Sequence, residues 1–370
     1  MEYIQNIISK ALSGERLSHG ELSFLLKIEK NEELTLLYAA ADKLRKSICG
    51  DIVTYVKNRN FNFTNICRNE CKFCAFKRNH DDKDAYISPI ENLINDLDIS
   101  ITEVCIQGGL NEDLDIEFYV TILQKIKAKH PSIHIHAFSP MEIAFISEKS
   151  KISIDNVLSI LKENGLGSIP GTAAEILCDD VRKKICPGKI SSDEWIRIIK
   201  TAHNLHIPTT ATVMFGHIET PEQLATHLSI IRDIQEKTLG FTELVPLPFI
   251  ATNTALAKEY QIPAYNVQNV FRLFAVSRLY FGSLLPNIQA SWVKIGKENV
   301  KKSLSCGVND IGGTLGEENI SKAAGATYGS SITEQELIKL IISAGKIPIE
   351  RNTLYRHPDK RNPSSYIQSL

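Results

Sequence analysis

Three cysteines at close spacing could hold a metal centre in this chain. Cys67, Cys71 and Cys74 form a C-x3-C-x2-C pattern directly after the run Phe61–Ile66. An iron–sulfur cube usually takes four cysteine ligands, and structural zinc takes four ligands from Cys and His. A triplet therefore leaves one coordination position open, and a reacting ligand can bind at such a position. The spacing predicts a catalytic metal centre in this loop.

Two other interpretations of the triplet stay open. His80 could complete a zinc site, although it lies in the charged run 79–84, which predicts a mobile loop. A zinc-stabilised binding protein would be colourless and without catalysis. The remaining cysteines lack motif spacing and are predicted to be small, buried or half-buried side chains in a reducing compartment. They are Cys49, Cys105, Cys178, Cys186 and Cys306.

The composition of the whole chain excludes several classes of function. The chain has 370 residues, with 42 Lys and Arg against 43 Asp and Glu, and a formal charge of -1. Without a basic excess, the sequence does not indicate nucleic-acid binding. The N-terminus lacks a signal-peptide pattern, and no apolar run reaches the ~18 residues of a membrane span. We therefore expect a cytoplasmic protein with no nucleic-acid or membrane partner.

Apolar periodicity divides the chain into three parts. Residues 1–50 are predicted to be an N-terminal helical segment. Residues 51–330 alternate short β-like runs with amphipathic helices, which predicts an α/β fold, a parallel sheet closed into a (β/α)8 TIM-type barrel. Residues 331–370 are predicted to be a C-terminal helix, capped by Thr333 and Glu336, and a polar tail. The eight predicted strands are 62–66, 102–106, 133–138, 165–169, 209–214, 240–245, 287–290 and 307–311.

The active site of such a barrel lies at the C-terminal ends of its strands. The second predicted strand is followed by Gln107, Gly108 and Gly109. Adjacent glycines let backbone groups approach a ligand closely, although a tight turn explains them equally well. The third predicted strand carries His136 and leads into Glu142, which are the candidates for substrate contact or proton transfer.

Other strands also carry polar residues toward this end of the barrel. Gln289, Ser291 and Asp310 lie at positions from which a barrel directs side chains to a substrate, so we predict that they bind substrate. His134 shares a face with His136 but lies one pleat deeper. An internal, hydrogen-bonded histidine explains His134 better than a role at the site.

Several segments of the chain resemble the radical S-adenosylmethionine (SAM) superfamily. The signature is the cysteine triplet with an aromatic residue, Phe73, before the last cysteine. Within the superfamily, the chain is similar to the group of biotin synthase and the tyrosine-cleaving and futalosine-pathway enzymes, and most of all to the tyrosine-dependent branch of FO synthase. The resemblance covers about residues 50–330, in the segments 106–110, 134–143, 171–177, 185–189, 215–220, 287–294 and 309–315.

This resemblance implies a [4Fe-4S] cluster and SAM as cofactors. Cys67, Cys71 and Cys74 would hold three irons, and the amino and carboxylate groups of SAM would chelate the fourth. An external low-potential donor would reduce the cluster, and SAM would be cleaved to methionine and a 5'-deoxyadenosyl radical. Phe73 would pack against the cluster or the adenine as a shield.

Two further sets of residues are predicted to bind SAM. Gln107, Gly108 and Gly109 form a turn at the strand end that faces the cofactor. SAM also needs a cation for its carboxylate and an acceptor for its ribose hydroxyls or ammonium group. Arg182 and Glu175 could supply these groups, with an ordinary surface ion pair as the alternative.

The implied substrates are L-tyrosine and 5-amino-6-(D-ribitylamino)uracil. Hydrogen abstraction from tyrosine would lead to cleavage of its Cα–Cβ bond, and the 4-hydroxybenzyl fragment would join the ribityluracil on the route to FO and coenzyme F420. A companion radical SAM subunit would close the deazaflavin ring. The alternative within the same barrel is a futalosine-pathway enzyme of menaquinone synthesis, either an aminofutalosine synthase or a dehypoxanthine futalosine cyclase.

Overall fold

The structure is a computed structural model that describes residues 1–355. All pairings between its strands are parallel. The strands within these residues are β1 (Ile52–Val56), β2 (Asn58–Phe61), β3 (Glu103–Ile106), β4 (His134–Ala137), β5 (Thr209–Phe215), β6 (Phe241–Pro248), β7 (Asp310–Gly313) and β8 (Ile347–Glu350).

Helices precede the sheet and alternate with its strands. Among residues 1–355, none of them combines the length and apolar composition that a membrane crossing needs. They are α1 (Glu2–Leu12), α2 (His19–Leu26), α3 (Asn31–Cys49), α4 (Ile90–Asp96), α5 (Ile116–Lys129), α6 (Pro140–Ser150), α7 (Ile154–Glu163), α8 (Asp179–Ile185), α9 (Ser192–Asn204), α10 (Pro221–Thr238), α11 (Ala255–Tyr260), α12 (Val267–Phe281), α13 (Trp292–Ile295), α14 (Lys297–Ser303), α15 (Asn319–Ala324) and α16 (Glu334–Ser343).

The sheet closes into the barrel that the sequence predicts. β1 and β2 act as one bent strand, because β1 pairs with β7 and β2 pairs with β3. Two short stretches contribute single bridges that complete the ring: residues 168–169 connect β4 to β5, and residues 288–289 connect β6 to β7. The ring closes where the amide of Asn60 donates to the carbonyl oxygen of Leu315, 2.7 Å away. Two of the predicted strands are thus reduced to isolated bridges.

The first predicted strand, 62–66, is displaced in the structure. The strand that enters the barrel there is β2, and residues 62–66 leave the sheet after it. The side chain of Asn65 bonds to the carbonyl of Asp84 and the amide of Tyr86, and the hydroxyl of Thr64 donates to the carbonyl of Tyr86. These bonds tie the segment to residues 84–86 and lead the chain directly into the cysteine loop.

The barrel has an apolar outside and a polar inside. Val104 and Ile106 of β3 belong to a hydrophobic cluster that also contains Tyr119, Ile122 and other residues of α5. Because strand side chains alternate, Glu103 and Cys105 face the interior. The side chain of Glu103 accepts a hydrogen bond from the amide of Asn58 on β2. Polar groups lining a barrel must find partners inside it, since burial of an unpaired polar group is unfavourable.

The C-terminal segment supplies several of those partners. After α16, strand β8 pairs with β1, and the chain continues under the barrel to residue 355. Arg351 lies 2.5 Å from Asp310, the first residue of β7, and 3.6 Å from Glu243 on β6. The sequence predicts only a polar tail after the helix, so neither β8 nor these buried contacts were predicted. Residues 356–370, the end of that predicted tail, lie outside the described residues.

Two more side chains of this C-terminal segment, those of Thr353 and Tyr355, bond to buried acids at the same end of the barrel. The hydroxyl of Thr353 donates to Glu103, the first residue of β3, over 2.5 Å. The hydroxyl of Tyr355 donates to Glu243. The guanidinium of Arg351 also stacks on the ring of Tyr355, 4.1 Å from its centroid. We call residues 351–355 the floor segment, because they close the N-terminal end of the barrel.

The Arg351→Met substitution should destabilise the protein strongly. It leaves the buried carboxylates of Asp310 and Glu243 without their cation, and breaking a buried ion pair from one side costs about 3–5 kcal/mol. The free energy of unfolding from urea titration measures this loss. Arg16→Met is the matched control, because Arg16 is exposed in its pairs with Asp233 and Glu236 and should cost at most about 1 kcal/mol. Equal losses in the two variants would contradict a stabilising role for the floor segment.

Candidate active site

The cysteine loop, residues 67–74, has no regular secondary structure but is fixed by its neighbours. All three thiols are free and half-buried. The backbone of the loop bonds to four separate parts of the chain. The bonds run from the Cys67 amide to the Arg78 carbonyl (3.1 Å), from the Arg68 amide to the Leu110 carbonyl (3.0 Å), from the Lys72 amide to the Ile185 carbonyl (2.8 Å) and from the Leu256 amide to the Lys72 carbonyl (2.8 Å).

The glycine turn after β3 packs against the approach to this loop. A Cβ atom added to Gly109 would lie 2.1 Å from the carbonyl oxygen of Ile66, and one added to Gly108 would lie 2.5 Å from the ring of Phe63. Gln107 is half-buried, and its carbonyl accepts a hydrogen bond from Asn62. The close approach that the two glycines permit is therefore to the segment before the cysteines.

The donor set of the loop fits an iron–sulfur cluster better than a zinc site with His80. His80 is exposed, and its ring lies 3.4 Å from a carboxylate oxygen of Asp113. Within residues 1–355, no three Cys, His, Asp or Glu side chains are already gathered to coordinate an ion. Burial raises the pKa of the Cys71 thiol to about 12, and the Lys189 ammonium opposes that rise. Three free thiols on one anchored loop, with a cation beside them, suit a negatively charged thiolate-held cluster.

Glu175 and Lys189 form an ion pair beside the cysteine loop. Their charged groups lie 2.5 Å apart, and both side chains are largely buried. The Lys189 ammonium also lies 5.2 Å from the centre of the ring of Phe73, the residue between Cys71 and Cys74 in the sequence. Despite its burial, the pKa of Glu175 is lowered by Lys189. Glu175 is thus an ionised acceptor next to the loop. The Phe73 ring lies against the Lys189 ammonium in a cation–π contact.

Arg182 has a different position from the one that the sequence suggests. It is buried, and its guanidinium donates to the carbonyls of Ala173, Ala174 and Ile190 over 3.1, 2.5 and 2.5 Å. These bonds hold the loop that carries Glu175 against the chain after α8. The structure therefore makes Arg182 an organiser of the loop, and the cation that lies beside the cysteines is Lys189.

Glu142 is also engaged in holding the backbone. It is buried in the capping box of α6, where one carboxylate oxygen accepts from the Ser139 amide over 2.7 Å. The other oxygen accepts from the Gly108 amide over 3.1 Å. Burial raises the pKa of Glu142 to about 7. The residue links α6 to the glycine turn, so its contacts position the turn rather than face the barrel axis.

His136 lies inside the barrel in a hydrogen-bonded group. Its Nδ1 is 2.6 Å from the Ser168 hydroxyl, and His134 Nε2 is 2.7 Å from the same oxygen. Burial lowers the pKa of His136 to about 4, with the nearby Glu103 opposing the shift. At neutral pH His136 is therefore an uncharged imidazole, which can accept or donate a hydrogen bond. His134 is the internal histidine that the sequence predicts.

The three predicted substrate residues occupy different levels of the barrel. Gln289 is half-buried and donates to Glu243 over 2.8 Å. Asp310 is fully buried and bonds to Arg351, to the Thr54 hydroxyl and to the Gly312 amide. Ser291 is half-buried at the start of α13, on the mouth side. Asp310 is thus committed to the floor, Gln289 lies at the same level as its bridge partner Asp310, and Ser291 lies closer to the mouth.

Sequence reasoning missed four charged residues of this region. Glu103 and Arg351 gave no signal, because neither belongs to a motif and Arg351 follows a strand that was not predicted. Lys189 ends the segment Ile185–Lys189, whose place in the resemblance was the available clue. Lys294 ends another such segment, 287–294, and proves to lie at the mouth of the barrel.

Comparisons of sequence and fold show which known proteins this chain resembles. The sequence model of the radical SAM superfamily matches residues 61–231, and a model described as the CofH/MqnC C-terminal region matches residues 238–364. Methylornithine synthase (PylB) superposes with a TM-score of 0.72 at 17% identity, covering 98% of this chain and 100% of that one. HydG, a maturase of the [FeFe]-hydrogenase, gives 0.73 at 15% identity, covering 94% and 76%. The barrel and its cysteine loop define a protein of the radical SAM superfamily.

Curated relatives narrow this class. One from Methanocaldococcus jannaschii is 50% identical over 337 residues, which are 89% of this chain and 94% of that protein. One from Methanothermobacter thermautotrophicus is 45% identical over 357 residues, which are 95% and 97%. Both are named 5-amino-6-(D-ribitylamino)uracil--L-tyrosine 4-hydroxyphenyl transferase. The chain belongs to the family of these transferases, and the cluster and SAM are the cofactors of its superfamily.

The Gly109→Ala substitution should weaken cluster binding. The added methyl group would meet the Ile66 carbonyl at 2.1 Å, so the segment before Cys67 must move. We expect fewer iron and sulfide ions per chain after anaerobic reconstitution, with the helical circular dichroism retained. Gly20→Ala is the control, because a Cβ at Gly20 meets nothing within 4 Å. A Gly109→Ala protein that loads the cluster fully would contradict this role of the turn.

The Glu142→Gln substitution should change how stability depends on pH. Because the folded-state pKa is raised to about 7 from an ordinary 4.5, the folded protein keeps a proton that the unfolded chain releases. The stability of the wild type relative to Glu142→Gln should therefore fall between pH 4.5 and 7, by on the order of 3 kcal/mol. Urea titrations across this pH range measure the difference.

Glu148→Gln is the control for this experiment, since it makes the same change on the same helix. Glu148 is exposed, and its hydrogen bond with Arg68 lowers its pKa. Its carboxylate should therefore contribute stability that is lost as the pH falls, which is the opposite direction. A flat difference between the wild type and Glu142→Gln would show that the Glu142 carboxyl is ionised throughout.

Proposed function

We propose that this protein is a radical SAM transferase that cleaves L-tyrosine at Cα–Cβ and joins the 4-hydroxybenzyl group to 5-amino-6-(D-ribitylamino)uracil. The observation that carries the proposal is the anchored triplet of free thiols at the mouth of a polar barrel. The relatives of the same family carry the name of this reaction over nearly their full length. The product belongs to FO and coenzyme F420 biosynthesis.

The residues of the loop have separate tasks in this proposal. Cys67, Cys71 and Cys74 would hold the [4Fe-4S] cluster, which with SAM supplies a 5'-deoxyadenosyl radical by reductive cleavage. Lys189 balances the negative charge of the thiolates, since its ammonium lies close enough to Cys71 to affect that thiol. Phe73 is held under that ammonium and shields the same side of the loop.

The barrel interior would bind and orient the two substrates. His136, as a neutral imidazole, offers a hydrogen bond without a charge, which suits uracil and ribityl groups. Gln289, which donates to Glu243, presents its amide at the level of the floor, and Ser291 presents a hydroxyl nearer the mouth. Asp310 acts through Arg351 and Glu243, because its carboxylate is already bonded in the floor. A closed floor leaves the mouth as the route for substrates and excludes water from the opposite end.

Partners and location follow from the same chemistry. The protein needs an external low-potential donor to reduce its cluster. A companion radical SAM subunit would take the coupled product and close the deazaflavin ring. Both reactions suit a reducing compartment, so we place the protein in the cytoplasm.

The reaction can be tested with the reconstituted enzyme. We expect 5'-deoxyadenosine and the coupled 4-hydroxybenzyl adduct when SAM, a reductant, L-tyrosine and the ribityluracil are all present, as measured by mass spectrometry. Cys71→Ala should abolish both products because it removes a cluster ligand. Cys49→Ala, a half-buried cysteine outside the loop, should retain them. A fully loaded wild type that forms 5'-deoxyadenosine but no tyrosine-dependent adduct would contradict the assigned substrates.

A further inference from the structure

A second site-like feature is a cavity beside the cysteine loop that the roles above leave unassigned. It has a volume of about 440 Å³, which lies in the range of small-molecule sites. Its lining comes from residues that follow the C-terminal ends of β6 and β7 and from the turn of α13. We call it the mouth cavity, and its main side chains are Phe249, Ile262, Tyr265, Lys294 and Tyr328.

The mouth cavity is physically joined to the cysteine loop. Helix α11, which contributes to its wall, starts with the Leu256 amide donating to the Lys72 carbonyl, 2.8 Å away. Lys72 also forms an ion pair with Glu259 of the same helix, over 2.8 Å. On the other side, Phe249 packs edge-on against His217 at the end of β5. A ligand in the cavity therefore lies next to the loop that would hold the cluster.

The lining is largely apolar with three aromatic rings, and its two lysines are the half-buried Lys294 and the exposed Lys258. Tyr265 donates from its hydroxyl to the Lys294 carbonyl over 3.0 Å, so the ring of Tyr265 and the backbone of Lys294 are fixed to each other. Tyr328 packs close to Gly296, just after α13. Aromatic walls around a space of this size favour a planar ring as the ligand.

The ammonium group of Lys294 has no ion-pair partner among residues 1–355. Its side chain is half-buried, and the carboxylates that influence it, those of Glu318 and Glu175, lie beyond ion-pair distance. Burial lowers the pKa of Lys294, and the more distant Glu318 and Glu175 carboxylates oppose that shift. Lys189, by contrast, has Glu175 at 2.5 Å. A buried cation of this kind is stabilised when an anion binds beside it.

A larger cavity on the flank of the barrel does not offer the same chemistry. Its volume is about 790 Å³, and it is lined mainly by amides and by charged side chains. Its two arginines already have carboxylate partners, Arg59 with Asp96 and Arg78 with Asp84, each at 2.7 Å. An incoming carboxylate would have to displace one of these pairs.

We propose that the mouth cavity is the L-tyrosine subsite, in which the Lys294 ammonium pairs with the substrate carboxylate and the aromatic walls surround the phenol ring. The inference rests on the proposed function, which supplies tyrosine as a substrate. Of the two substrates, tyrosine alone has both a carboxylate and a phenol ring, while the ribityluracil has neither. In this subsite the amino-acid end of tyrosine is held in place while its Cα–Cβ bond is broken.

The test is tyrosine binding to the reconstituted holoenzyme with SAM present. Equilibrium dialysis with labelled L-tyrosine should give a dissociation constant on the order of 10- to 100-fold higher for Lys294→Met than for the wild type, because a charged hydrogen bond is lost. Tyramine, which lacks the carboxylate, should bind both proteins alike. Lys294→Arg should recover part of the affinity. Lys302→Met, which removes an exposed lysine of the adjacent α14, should bind tyrosine as the wild type does.

The outcomes separate the two proposals. Wild-type binding of tyrosine that Lys294→Met leaves intact would overturn the subsite alone, as would equal weakening of tyrosine and tyramine. Loss of SAM binding in Lys294→Met with tyrosine binding preserved would assign the cation to SAM and overturn the subsite too. A loaded wild type that binds no tyrosine would overturn the proposed function and this inference together.

Discussion

The site depends on one constraint, which is that the cysteine loop has no helix or strand of its own. Its position is set by backbone hydrogen bonds to four distant parts of the chain, at Arg78, Leu110, Ile185 and Leu256. Such a loop stays in place only where the surrounding backbone leaves no room for it to shift. The glycine turn after β3 provides that fit, and Glu142 holds the turn from the side of α6.

The same reasoning explains why so many charged groups are buried. Glu103, Glu243 and Asp310 would be unfavourable inside a barrel if they were alone. The floor segment brings Arg351, Thr353 and Tyr355 to them, so each acid has at least one donor. The interior can therefore be polar enough for two hydrophilic substrates without becoming unstable. By contrast, the Lys294 ammonium in the wall of the mouth cavity has no ion-pair partner among residues 1–355.

Much of this fold follows from patterns that can be read locally. The β3, β4 and β5 strands match the predicted runs closely, because each is a short β-like run that alternates with amphipathic helices. The first strand was misplaced by a few residues, because alternation continues through residues 62–66 although their hydrogen bonds go to residues 84–86. Strand β8 was missed because four residues with a proline, Ile347–Glu350, give little signal alone.

The site residues that belong to a sequence motif could be predicted, whereas those whose role depends on tertiary contacts could not. The spacing of the three cysteines indicates their chemistry without any structure. For Arg182 and Glu142, the residue type suggested contact with a ligand, but the structure shows their charged groups bonded to backbone carbonyls and amides. The tertiary structure determines which group a long polar side chain contacts, so sequence spacing alone cannot identify that partner.

The floor segment also ties the completion of the barrel to the order of synthesis. Thr353 reaches back 250 residues to Glu103, and Arg351 reaches back 41 to Asp310. All eight strands are synthesised before Arg351. The nascent barrel therefore has the carboxylates of Asp310 and Glu243 at its base before Arg351 can pair with them. Because closing a long loop costs entropy, we expect the contact between Thr353 and Glu103 to form late in folding. The floor is then the last part of the barrel to be closed.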